Sequence, residues 1–112
     1  MRKDTRELLE CFSGIISGKW KLLVIHALSN NEKRFGELAD EIEGISDKML
    51  SNQLKELESQ RLLSRNVYPE VPPKVVYRLS KRGRELNAIV DEAIIWSRGY
   101  RKYCEKWNIE KE

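Results

Sequence analysis

The stretch "ISDKMLSNQLKELESQRLLSRNVYPEVPPKVVY" (residues 45–77) restricts the possible folds of this chain more than any other. Ser46 is a good N-cap, because its hydroxyl oxygen can accept from a free amide in the first helical turn. Leu50, Leu54 and Leu57 fall on one side of the helix that follows. Lys48, Ser51, Asn52, Lys55 and Ser59 fall nearly half a turn away. The spacing predicts a helix over residues 46–60 with one buried side and one free polar side. From Leu62 the period changes, and "LLSRNVY" and "VVYRLS" carry the β-branched and aromatic residues of strands. Pro69, Pro72 and Pro73 lie between them, forbidding helix and removing three backbone donors. A stiff, projecting hairpin is therefore predicted over residues 62–79.

The flanks are helical. A first helix is predicted over residues 4–17, with Leu8, Leu9, Phe12, Ile15 and Ile16 as its apolar stripe. Ser17-Gly18 interrupts it, and Ser17 is expected to cap a second helix, "KWKLLVIHAL", whose core face is Trp20, Leu23, Val24, Ala27 and Leu28. His26 in this run is expected to be packed and hydrogen-bonded. "SNNEK" reads as a turn. A short third helix, "FGELADEIEG", places Phe35, Leu38, Ala39 and Ile42 together and ends near Gly44. The last helix, over residues 80–107, is capped by Ser80 and carries Leu86, Ile89, Val90, Ala93, Ile94, Tyr100 and Trp107 at helical spacing. Gly83 and Gly99 weaken it without breaking it. It has more apolar face than one small monomer can cover, so a homodimer through this helix and the first is expected. Trp96, Tyr100, Tyr103 and Trp107 then serve as interface or core aromatics.

Composition narrows the function. With 112 residues the chain is expected to be one domain, able to bury a core unaided. A net charge of +3 is compatible with a nucleic-acid partner but does not require one. Apolar runs such as residues 22–28 are too short to span a bilayer, so no membrane partner is expected. The N-terminal residues lack an apolar signal core, which points to the cytoplasm. Cys11 and Cys104 form no C-x-x-C pair, and with one histidine a structural zinc site lacks ligands. No nucleophile–base pattern or glycine-rich phosphate loop is present, so neither catalysis nor a cofactor or metal is expected.

The predicted order, four helices, a strand, a wing, a strand and a helix, resembles the winged helix-turn-helix. The strings "GKWKLLVIHAL", "KRFGELADEIEGISDKMLSNQLKELE" and "RNVYPEVPPKVVYRLSKRGREL" resemble the HxlR-type family of bacterial and archaeal transcription regulators, relatives of the MarR-like group, over residues 18–86. The resemblance implies an α+β, mainly α fold: one winged helix-turn-helix domain with N- and C-terminal dimerisation helices. It implies a cytoplasmic homodimer that binds double-stranded operator DNA, with any small-molecule effector unspecified. Ser46, Lys48, Ser51, Asn52, Gln53 and Lys55 are then the major-groove candidates. Asn52 suits adenine, the lysines suit guanine or phosphate, and Gln53 lies nearest the core flank. Lys74 at the wing, Arg65 and Arg78 on its strands, and Lys19, Lys33 and Arg34 at helix starts are the backbone candidates, aided by helix-start amides. For Arg65 and Arg78, pairing with acidic neighbours is the competing reading.

One departure concerns the thiols. Many members of that family carry a cysteine, often followed by proline, about a dozen residues before the GKW motif. That position falls near Glu7 here, whereas Cys11 lies a turn later and precedes Phe12. Thiol sensing is therefore not carried over by the resemblance. A redox-sensing regulator using Cys11 or Cys104 stands as one alternative, and a winged-helix protein-interaction module without DNA binding as another.

Overall fold

The computed structural model describes residues 1–110. Along it run α1 (Lys3–Ile16), α2 (Lys21–Ala27), α3 (Phe35–Glu41), α4 (Asp47–Ser59), β1 (Leu63–Tyr68), β2 (Lys74–Leu79) and α5 (Lys81–Trp107). The strands pair antiparallel from Leu63↔Leu79 to Tyr68↔Lys74. Lys33, in the turn before α3, adds a single bridge on the other edge of β2: its amide donates to the Tyr77 carbonyl at 3.0 Å and its carbonyl accepts from the Tyr77 amide at 2.8 Å. The fold is mainly helical with a small sheet, as the sequence predicts.

The core lies among α2, α3, α4, the sheet and the first half of α5. It is built from Val24, Ile25, Leu28, Leu38, Ile42, Leu50, Leu54, Leu57, Leu63, Leu79, Leu86 and Val90. The α2 stripe is rotated from the predicted one. Ile25 is fully buried, while Leu23 is 44% exposed. The buried positions 21, 24, 25 and 28 follow helical spacing, but a lysine heads the row and hides the pattern. His26 falls on the outer side and is not packed: its side chain is 54% exposed, and its Nδ1 lies 4.0 Å from Asp91 Oδ1. Ser17 does not cap α2 either. Its hydroxyl donates to the Gly14 carbonyl at 3.1 Å and so closes α1, while α2 starts four residues later without a side-chain cap.

Other terminators behave as their chemistry dictates. The Ser46 hydroxyl accepts from the Met49 amide at 3.1 Å. Ser80 accepts from the Gly83 amide at 3.1 Å while donating to the Arg61 carbonyl at 2.7 Å, tying the start of α5 to the end of α4. Gly44, with φ of +85°, takes the left-handed turn out of α3 one residue beyond the first position after the cap.

The domain is elongated. Its radius of gyration is 16.5 Å, against roughly 13 Å for a compact chain of this length. The excess comes from two elements. No residue of α1 is buried, and beyond Ile94 the only buried residue described on α5 is Cys104.

Candidate nucleic-acid interface

On α4 the burial of Leu50, Leu54 and Leu57 fixes the helix rotation, so Lys48, Asn52 and Lys55 face solvent. Ser51, at the edge of this face, is half-buried. None of these four side chains has a hydrogen-bond or ionic partner among the described residues. Gln53 stands on the flank, half-buried, its amide nitrogen 4.0 Å from Met49 Sδ. The Ser46 oxygen is occupied by the helix start, which leaves its hydroxyl hydrogen available.

The helix-start candidates divide. Lys19 is exposed, with its ammonium 4.6 Å from the centroid of the Trp20 ring. The Arg34 side chain is exposed, but its amide donates to Glu37 Oε1 at 2.8 Å. That start of α3 therefore already holds a carboxylate and is not an open anion cradle. Lys33 departs furthest from its expected role. Its ammonium donates to the Ala27 carbonyl at 2.5 Å and to Glu41 Oε2 at 2.7 Å, which makes it a brace between α2 and α3 rather than a free phosphate ligand.

In the wing, the exposed tip from Pro69 to Pro73 contains no basic residue. Alternation along the strands puts Tyr68, Lys74 and Arg78 on one sheet face and Arg65 on the other. Lys74 is at the root of the tip rather than its apex. It is half-buried, its ammonium 5.8 Å from the Tyr68 ring centroid, and it borders a cleft of about 510 Å³ with Glu32, Arg34 and Glu37. Arg78 pairs with Glu32 at 3.2 Å and reaches the Tyr68 hydroxyl at 3.4 Å, so its acidic partner comes from the turn before α3 and not from across the hairpin. Glu32 first and Tyr68 second hold its guanidinium above the ordinary value. Arg65 is exposed and unpartnered among the described residues, which makes it the freer wing cation.

Sequence reasoning missed Lys21. Its ammonium is buried at the start of α2 and lies 2.7 Å from Glu56 Oε1 on α4. The available signal was a lysine at the head of the 21, 24, 25, 28 stripe. Of the two thiols, Cys11 is exposed on α1 and Cys104 is buried on α5. The Cys104 thiol beside Tyr100 holds the phenol above its ordinary pKa. Among the described residues no cluster of three or more His, Cys, Asp or Glu side chains could hold a metal, and no helix is long and apolar enough to cross a membrane.

A helix with a free polar face, packed beside two short helices and followed by a hairpin latched to the turn before α3, defines a winged helix-turn-helix protein. The HxlR-like helix-turn-helix family model matches residues 15–105, and the chain belongs to that family of transcriptional regulators. An HTH-type transcriptional regulator of Methanothermobacter thermautotrophicus is 42% identical over 90 residues, covering 80% of this chain and 69% of its own. The HTH-type transcriptional regulator YodB of Bacillus subtilis is 38% identical over 97 residues, covering 87% and 84%. Among solved structures, the redox regulator HypR in its reduced form superposes with a TM-score of 0.82 at 37% identity, covering 88% of this chain and 97% of that one. These relatives are named as regulators, not enzymes.

Proposed function

We propose that this regulator acts as a cytoplasmic homodimer on pseudo-palindromic operator DNA, with α4 in the major groove and the wing against the flanking backbone. The observation that carries this reading is the α4 face itself: Lys48, Ser51, Asn52 and Lys55 stand together with no hydrogen-bond or ionic partner among the described residues, on a helix whose rotation is fixed by three buried leucines. Asn52 can make paired hydrogen bonds to adenine, and the lysines reach guanine acceptors or phosphate. Arg65, Lys19 and Arg34 extend the positive surface, while Lys74 lies against the Tyr68 ring and Arg78 ties the wing to Glu32 in the turn before α3. Unpartnered apolar side chains on α1 and α5 supply the dimer face, so that two reading helices meet successive major grooves about 34 Å apart.

The test is a titration of promoter duplex against scrambled duplex across a salt series. Strong preference and a steep fall in affinity with salt are expected, and the absence of either refutes the reading. Asn52→Ala is expected to lose about 1–3 kcal/mol of discrimination at one base position. Lys55→Ala should instead weaken all sequences alike and lower the salt slope by about one. If neither change alters binding, α4 is not the reading element and the interaction-module alternative gains.

A redox-responsive form of the same regulator draws support from the exposed Cys11 thiol and from the description of HypR as a redox regulator. Under that reading Cys11→Ser abolishes an oxidant-induced change in DNA affinity. An unchanged response in Cys11→Ser and Cys104→Ser proteins excludes it.

A further inference from the structure

We infer that Lys21 is a positioning residue for DNA reading, holding the Glu56 carboxylate away from the duplex. The inference rests on the DNA-reading role of α4 proposed above. Lys21 is the one buried charged side chain among the described residues, at 4% exposure. It is also the first residue of α2, where the positive end of the helix dipole disfavours a cation. Desolvation and dipole both oppose a charge here. An apolar side chain of similar length would complete the Val24, Ile25, Leu28 stripe without either cost, so stability alone does not account for the lysine.

Its partner supplies the reason. Lys21 Nζ lies 2.7 Å from Glu56 Oε1, and the Glu56 side chain is still 48% exposed. Glu56 follows Asn52 by one turn of α4, and residues four apart on a helix are surface neighbours. An unrestrained carboxylate there would meet the phosphates of a duplex seated on Lys48, Asn52 and Lys55. That like-charge approach weakens binding to any sequence. Lys21 draws the carboxylate toward α2 and cancels its charge while remaining inaccessible to the DNA itself.

The experiment uses the full chain, a duplex enriched by the wild-type protein from a randomised pool, and a scrambled control. Lys21→Met is expected to weaken binding to the enriched duplex about tenfold or more. Adding Glu56→Gln removes the freed carboxylate and is expected to restore affinity to near the wild-type value. Unchanged affinity in the Lys21→Met protein overturns the inference. So does a double variant as weak as the single one, which would make the pair a packing strut. Should Lys21→Met melt below the assay temperature, Lys21→Gln, which keeps a donor but not the charge, is measured with and without Glu56→Gln against the same two outcomes. A wild-type protein that enriches no duplex refutes the DNA-reading proposal, and this inference with it.

Discussion

Trp96→Glu is expected to convert the proposed dimer into monomers and to weaken operator binding by about two orders of magnitude or more. Trp96, Tyr100, Tyr103 and Trp107 form a continuous aromatic stripe along the outer half of α5, with successive ring centroids 4.8, 6.1 and 6.2 Å apart. Trp96 is 66% exposed, and Leu8 on α1 is 63% exposed. An apolar strip of this length on a charged surface has a large driving force for burial, and a two-fold axis lets the same strip cover itself. Glutamate at the Trp96 end of the strip is placed twice in each dimer, so desolvation and mutual repulsion act together. Losing the dimer also loses the tethering of the second reading helix, which supplies the factor of about 10² or more. Sedimentation measures the first effect and operator titration the second. A Trp96→Glu protein that remains dimeric at micromolar concentration removes α5 from the interface.

The second large effect is on stability. Gly83 lies in the first turn of α5, where an added Cβ would stand 2.0 Å from the Leu62 carbonyl oxygen and 3.2 Å from Leu79 Cδ2. Backbone cannot yield as a side-chain end can, so Gly83→Ala must push α5 off the α4–β1 corner. That move strains the Ser80 bonds to Arg61 and Leu62 as well. The expected loss is about 3 kcal/mol, a drop in Tm of roughly 10 °C or more. Gly36, where a Cβ would meet nothing within 4 Å, is the control. Gly36→Ala should raise stability by a few tenths to about 1 kcal/mol. Equal melting temperatures for the two variants would show that the corner is looser than its geometry implies.

Gly83 also illustrates where the sequence is silent. Its spacing within α5 marks it only as a weak helix residue; what makes it necessary is a carbonyl twenty-one positions earlier. The same holds for Lys33, expected at phosphate, and for Lys21, which the sequence does not single out: packing brings Glu41 and Glu56 to them from other elements. His26 errs in the other direction, since an apolar run suggested burial and helix phase denied it. Local signals were legible. The Ser46 cap, the Leu50, Leu54, Leu57 row and the prolines of the wing are each decided within one turn or one hairpin. The free face of α4 followed from them directly, because burying three leucines leaves the opposite side no choice.

The rung between Lys33 and Tyr77 has a mechanical consequence. Two backbone hydrogen bonds join the wing to the turn that leads into α3, and the Lys33 ammonium is braced against α2 and α3 at the same point. The wing is thereby held to the α2–α3 body, and in the proposed complex it would meet the duplex in a position set by that body. Under the proposed function, base steps that kink or narrow easily between the α4 site and the wing site would then be favoured, giving selectivity at base pairs that no side chain touches.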